Sequence, residues 1–174
     1  MDPGEAVRQV YQASYRRLVG QLTGVTGDLA EAEDVVHEAF ARALARPRVF
    51  AEVTDPEAWL RTVAINIART RWRRRWVFDR LFQAGKVVQA PEVVEGPEPD
   101  RLPLVAALRT LPYPMRAALV LHHIADLPVT EVAATLGVPV NTVKSWLARG
   151  RRSLAAILRE EVRAPHASAR RGLS

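Results

Sequence analysis

The chain has 174 residues and a formal net charge of +6, enough length for one ordinary domain or two small ones, with a basic balance that suits an anionic partner such as nucleic acid or an acidic membrane surface. It contains no cysteine, which excludes disulfides, thiolate catalysis and cysteine-ligated zinc and suits a reducing cytoplasm. The opening MDPGEAVRQV lacks the apolar core of a signal peptide, and no run reaches the roughly 18 apolar residues of a membrane span, so a cytoplasmic chain without membrane insertion is expected.

In chain order, Val7, Tyr11, Leu18 and Leu22 recur at helical spacing, and Gly24 and Gly27 are expected to break the helix. Asp28 is a good N-cap with Glu31 three residues on, and Ala32, Val35, Val36, Ala39, Phe40, Ala43 and Leu44 trace one apolar face of a second helix. Pro47 stops it. A loop, Arg46 to Thr54, leads to a third helix capped by either Thr54 or Asp55, with Pro56 in its first turn and Leu60, Val63, Ala64 and Ile67 on its core face.

Past Ile67 the third helix turns basic: between Ala68 and Trp76 stand five Arg and two Trp and no acid. Arginine binds phosphate and stacks on bases, and an indole offers a face to an unpaired base. The plain alternatives are a solvated helix end for the arginines, favoured there by the macrodipole, and core packing for Trp72 and Trp76. Residues 83–103 then hold four Pro, two Gly and four acids, a composition that stays extended, so a flexible acidic Pro/Gly-rich linker between two modules is expected. No internal repeat is visible.

The most informative stretch is Val129 to Leu154. Val129, Val132, Ala133 and Leu136 form one helical stripe, Gly137 suits the left-handed position that ends a helix, and Pro139 fits the start of the next. In that next helix Val143, Leu147, Gly150 and Leu154 share a packing face. Asn141, Thr142, Lys144, Ser145, Ala148, Arg149, Arg151 and Arg152 fall largely on the others, and no acid occurs between Asn141 and Arg159. Two short amphipathic helices across a tight turn, the second strongly basic, spell a helix-turn-helix DNA reader. The plain alternative is a helical hairpin with a solvated basic face. The tail from Ala164 to Ser174 reads as disordered.

These residues carry a resemblance. Ala32 to Leu44, AEDVVHEAFARAL, resembles the polymerase-binding helix of bacterial sigma factors, and Ala58 to Ala68, AWLRTVAINIA, with the Arg run after it, resembles their promoter −10 helix. Leu111 to Leu154, with Thr142-Val143-Lys144-Ser145 in the recognition helix, resembles their −35-binding domain. The two-domain layout is similar to the extracytoplasmic-function group of the sigma-70 family. The resemblance implies an all-α fold of two small helical domains: a sigma-2-like bundle (1–82), the linker (83–103), a sigma-4-like helix-turn-helix domain (104–162) and a disordered tail (163–174).

The resemblance also implies sites. Asp34, Glu38 and Arg42 become the contacts to the RNA polymerase core enzyme, their plain reading being a charged solvated face. Asn66, Arg69, Arg71, Trp72, Arg73, Arg74, Arg75 and Trp76 become the −10 set, with loop 46–54 holding a base flipped from the single strand and Asn66 reaching in. Asn141, Thr142, Lys144, Ser145, Arg149, Arg151 and Arg152 become the duplex −35 set. Pro139 stands where the family often has Ser, Trp146 where it usually has Arg, and Ala148 where a larger residue is common. An anti-sigma factor is a frequent further partner.

The function expected is promoter-specific transcription initiation, without catalytic residues, cofactor or metal. The runner-up is a stand-alone helix-turn-helix regulator, against which the front module and the missing dimerisation stripe both speak. An enzyme is the third class. Its case is weak, since the His122-His123 pair points about 100° apart on a helix and no nucleophile motif or phosphate loop occurs.

Overall fold

The computed structural model describes residues 2–84 and 103–168. Among them are eight α-helices and one π-helical turn, and no strand. The helices are α1 (Pro3–Thr26), α2 (Leu29–Ala45), α3 (Pro47–Ala51), α4 (Pro56–Ala84), α5 (Pro103–Arg109), α6 (Tyr113–Leu119), α7 (Val129–Leu136) and α8 (Val140–Ser168). The π-helical turn, Val120–Ile124, runs on from α6. By backbone contacts the chain divides into two compact units, Met1–Leu18 with Glu33–Arg101 and Val19–Ala32 with Leu102–Ser174.

The helix starts follow local chemistry. Asp28 Oδ1 accepts from the Glu31 amide at 2.7 Å, the expected N-cap of α2. At α4 the cap is Asp55, whose Oδ1 accepts from the Ala58 amide at 3.0 Å, and Pro56 opens the helix where its missing N–H costs nothing. Pro47 does the same for α3, a short helix inside the stretch read as a loop. Gly24 does not break α1, which runs on to Thr26. Its role is close approach: a Cβ there would lie 2.9 Å from Val120 Cγ2. Gly27, at φ +76°, is the residue that ends α1.

In the first unit Val7 and Leu18 of α1, Val35, Val36, Ala39, Phe40 and Ala43 of α2, Phe50 of α3, and Leu60, Ala64, Ile65, Ile67 and Ala68 of α4 are buried. Leu44, expected on that apolar face, lies at its edge and is 56% exposed. In the second unit Val19, Leu22, Val25 and Ala32 pack in one core unit with Leu108, Ala117, Val120, Leu121, Val132, Leu136, Val143 and Leu147. Each fully buried Leu or Val of this kind contributes roughly 1.5–3 kcal/mol of transfer free energy.

Two ends differ from expectation. Gln83 and Ala84, assigned to the linker, complete α4, and Pro103 opens α5; residues 85–102 lie outside the described residues. Helix α8 continues to Ser168, because AAILREEVRA is built from good helix formers and propagates an existing helix. Of the expected tail, residues 169–174 lie outside the described residues.

Candidate nucleic-acid interface

The turn before α8 is built as the sequence predicts. Gly137 sits at φ 66° and ψ 38°, the left-handed cap of α7, and its amide donates to the Ala134 carbonyl at 3.3 Å. The Pro139 carbonyl accepts from the Thr142 amide at 3.0 Å and starts α8. Val132, Ala133 and Leu136 of α7 and Val143, Leu147 and Gly150 of α8 are buried together in the second unit. Gly150 is needed for that packing, since a Cβ would meet Leu119 Cδ1 at 2.7 Å.

Burying that face decides what the other presents. Asn141, Lys144, Ser145, Arg149, Arg151 and Arg152 are exposed, while Thr142, Trp146 and Ala148 are half-buried. Lys144 and Ser145 each stand three or four residues from both Asn141 and Ala148, and Arg152 stands four beyond Ala148, so these five share one side of the helix. A major groove admits a helix presenting such a side. Trp146 is turned partly into the protein, which suits packing better than a backbone grip.

The histidine pair serves the turn. His122 Nδ1 donates to the Leu127 carbonyl at 2.8 Å and closes the segment between α6 and α7. His123 Nε2 lies 3.4 Å from Arg151 Nη1, and burial, then His122 and Arg151, hold its imidazole below the ordinary range. No group of three metal-ligating side chains occurs among the described residues.

In the first unit the basic half of α4 projects outward. Arg73, Arg74 and Arg75 are exposed, Arg69 and Arg71 half-buried. Trp72 is half-buried and Trp76 is 46% exposed, with ring centroids 6.4 Å apart at 25°, so neither indole is a core residue. Arg80 lies over the Trp76 ring at 4.3 Å, a cation–π contact. Val77, Phe78, Leu81 and Phe82 beyond it are exposed as well.

Glu38 joins two of the expected sets. Its Oε1 accepts from Arg42 Nη2 at 2.7 Å and its Oε2 from Arg71 Nη2 at 2.9 Å. Burial pushes this carboxyl up, and the bonds to Arg42 and then Arg71 outweigh it, holding it below the usual carboxylate range. With Glu38 37% exposed, each bridge contributes only about 0–1 kcal/mol to stability. Asp34, the third residue of that set, is exposed.

Two hollows flank this pair. A cleft of about 330 Å³ is lined by Glu38, Arg42, Asn66, Ile67, Thr70, Arg71 and Arg74. A larger cavity of about 570 Å³ is lined by Arg42, Ala43, Ala45, Arg46, Val49, Phe50, Trp59 and Val63. The larger one contains three residues of the stretch read as a loop, and Phe50 and Trp59 meet edge-on at 5.4 Å beside it. Asn66 is not among its lining residues; it faces the smaller cleft, and its Oδ1 accepts from Arg69 Nη2 at 3.1 Å. The aromatic wall escaped the sequence reading, although the apolar run Val49-Phe50-Ala51 inside a supposed loop was the available signal.

The described residues thus form an all-α protein with a helix-turn-helix unit and a second basic helix. Residues 10–77 match the sigma-70 region 2 family profile and residues 101–154 the sigma-70 region 4 profile. The chain is 35% identical over 140 residues to the ECF RNA polymerase sigma factor SigL of Mycobacterium tuberculosis, covering 78% of this chain and 79% of that one. To the factor SigW of Bacillus subtilis it is 29% identical, covering 87% and 84%. The same fold occurs in the sigma factor RpoE of Bartonella quintana, solved with the anti-sigma factor NepR, at TM-score 0.67 and 24% identity over 87% of this chain and 96% of that one. The chain belongs to the ECF RNA polymerase sigma factors of the sigma-70 family. Among the described residues no helix is long and apolar enough to cross a membrane.

Proposed function

We propose that this sigma factor docks on core polymerase through the outer side of α2, reads the −35 duplex with α8, and melts and captures the −10 non-template strand with α4 and the cavity beside α3. Residues 1–82 serve the first and third tasks, 104–162 the second, and 83–103 tether them. Asp34, Glu38 and Arg42 meet the polymerase. Arg69, Arg71, Arg73, Arg74 and Arg75 hold backbone phosphates, Asn66 serves the same strand from the smaller cleft, and Trp72 and Trp76 abut the upstream edge of the bubble. The observation that carries this reading is the pairing, in one chain, of an outward basic and aromatic α4 segment with a polar, basic face on the second helix of a helix-turn-helix.

The larger cavity is spacious enough for a nucleobase and walled by Phe50 and Trp59. A base taken from the stack loses a few kcal/mol, which stacking and desolvation in such a cavity offset, so opening is driven by binding and needs no ATP. The match over residues 10–77 favours this reading over a stand-alone regulator. A regulatory anti-sigma partner remains an expectation of the family.

The test is permanganate reactivity of bubble thymines with saturating holoenzyme. Asn66→Ala, Trp72→Ala and Trp59→Ala should each reduce it while leaving duplex −35 binding in place. Wild-type reactivity in all three folded variants would refute the melting set. Retention of core enzyme by an Asp34→Lys/Glu38→Lys double variant, equal to that of wild type in a pull-down, would refute the docking face.

A further inference from the structure

The carboxylate of Glu38 sits in a cleft otherwise built for an anion. Of its seven lining residues, Arg42, Arg71 and Arg74 are cations, Asn66 and Thr70 are polar, Ile67 is apolar, and Glu38 is the only acid. The acid divides its oxygens between two guanidinium groups, 2.7 Å from Arg42 and 2.9 Å from Arg71. A phosphodiester presents the same arrangement of two oxygens sharing one negative charge, and arginine binds either group through like pairs of hydrogen bonds. The Arg71 side chain is 35% and the Arg42 side chain 56% exposed, so a strand can reach both without rearrangement of the core.

We propose that this cleft is a phosphodiester site for single-stranded DNA which Glu38 holds closed in the free chain, and that polymerase docking opens it by drawing the Glu38 carboxylate away. The inference rests on the proposed roles of α2 and α4, because Glu38 belongs to the docking face and Arg71 to the strand-binding face. In the free chain the carboxylate competes with phosphate for Arg71. When a cation of the polymerase engages Glu38, the Arg71 guanidinium turns to the strand, and Arg42 stays with the docking face. Linkage makes the coupling reciprocal, so strand binding strengthens docking by the same factor. A sigma factor built this way stays off the bulk of cellular nucleic acid until it is part of the holoenzyme.

Glu38→Gln removes the competing charge and keeps the side-chain shape. Because Glu38 is partly exposed, the variant is expected to fold, with a thermal melt to confirm it. The experiment measures binding of a mixed-sequence 12-nucleotide single-stranded DNA to the full free chain across a salt series. Neutralising one further phosphate of a single strand steepens the log–log salt slope by about 0.7, which corresponds to about fivefold tighter binding at roughly 0.1 M salt. Arg71→Ala in the Glu38→Gln background should abolish this tightening, and the tightening should vanish when both proteins are compared in holoenzyme, where Glu38 is already withdrawn. A free Glu38→Gln chain that binds no tighter than wild type overturns the proposal, as does a tightening of equal size in free chain and holoenzyme. Inorganic phosphate at matched ionic strength should not displace the oligonucleotide; if it does, the cleft is a free-anion site and the proposal falls. Failure of the wild-type chain to bind core polymerase would instead strike the proposed function, so the two are told apart.

Discussion

Glu57 accepts hydrogen bonds from Arg17 Nε and Nη2 at 2.8 and 2.6 Å, from Ser14 Oγ at 3.0 Å and from Arg61 Nη2 at 3.2 Å, tying α1 to the first turn of α4. The Arg17 bond holds its carboxyl below the ordinary value of 4.5, partial burial opposing and Ser14 and Arg61 assisting. A carboxyl depressed on folding contributes stability that is fully present above the unfolded value and lost as pH falls through the folded one. Glu57→Gln should therefore lower stability by about 1 kcal/mol at neutral pH, and by less in acid, where the wild-type carboxylate itself becomes protonated. Urea unfolding at about pH 7 and about pH 3 checks it, and an equal loss at both would exclude the linkage. Of this network only the Glu57–Arg61 pair, at i,i+4 spacing, was visible in the sequence. Ser14 and Arg17 stand some 40 positions from Glu57, and residue type alone does not say which distant charges meet. Glu38 hid its double engagement for the same reason: the i,i+4 spacing announces Arg42, but nothing in the spacing announces Arg71.

At the scale of elements, the close approach of α6 to α8 turns on Gly150. Replacing glycine in a helix interior by alanine gains about 1 kcal/mol of helix propensity, but here the new Cβ lies 2.7 Å from Leu119 Cδ1 and 2.9 Å from Met115 Cγ. Overpacking of this kind costs about 1–3 kcal/mol, so Gly150→Ala should destabilise by about 1 kcal/mol; a chemical melt that shows stabilisation would place the helices further apart. Periodicity and caps made α2, α4, α7 and the start of α8 legible, because the period and the start signals agreed at each. Gly24 misled because glycine has two uses, and the sequence cannot tell a helix end from a helix crossing; Gly27, three residues on, is the end. Pro47 misled likewise, being both a stop for α2 and the first residue of α3. On α8 itself the two kinds of contact should separate. Lys144→Ala, near the N-terminal end, should relax sequence choice by about 1–3 kcal/mol at one or two −35 positions, whereas Arg151→Ala should weaken all −35 sequences alike. A −35 library selection with each variant in holoenzyme reads both, and the reverse pattern would mean that α8 enters the groove the other way round.

For the whole molecule, the excess of cations matters less than its placement. Arg73 is exposed on α4 in the first unit, and Arg151 is exposed on α8 in the second. If Arg73 grips a phosphate of the separated strand, its loss should reduce the log–log salt slope of holoenzyme on promoter DNA by about 0.7, the value for a single strand. If Arg151 grips a phosphate of the −35 duplex, its loss should reduce the slope by about 0.9, the value for B-form DNA. The sites share no partner, so their effects should add, and the double variant should lose about 1.6 units. On a duplex fragment carrying only the −35 element, Arg73→Ala should leave the slope unchanged and Arg151→Ala should still lower it. Filter binding of holoenzyme across a salt series on the two templates measures every one of these slopes. A loss at Arg73 on the −35 fragment would show that α4 contacts duplex DNA, and the division of the promoter between the two units would fail.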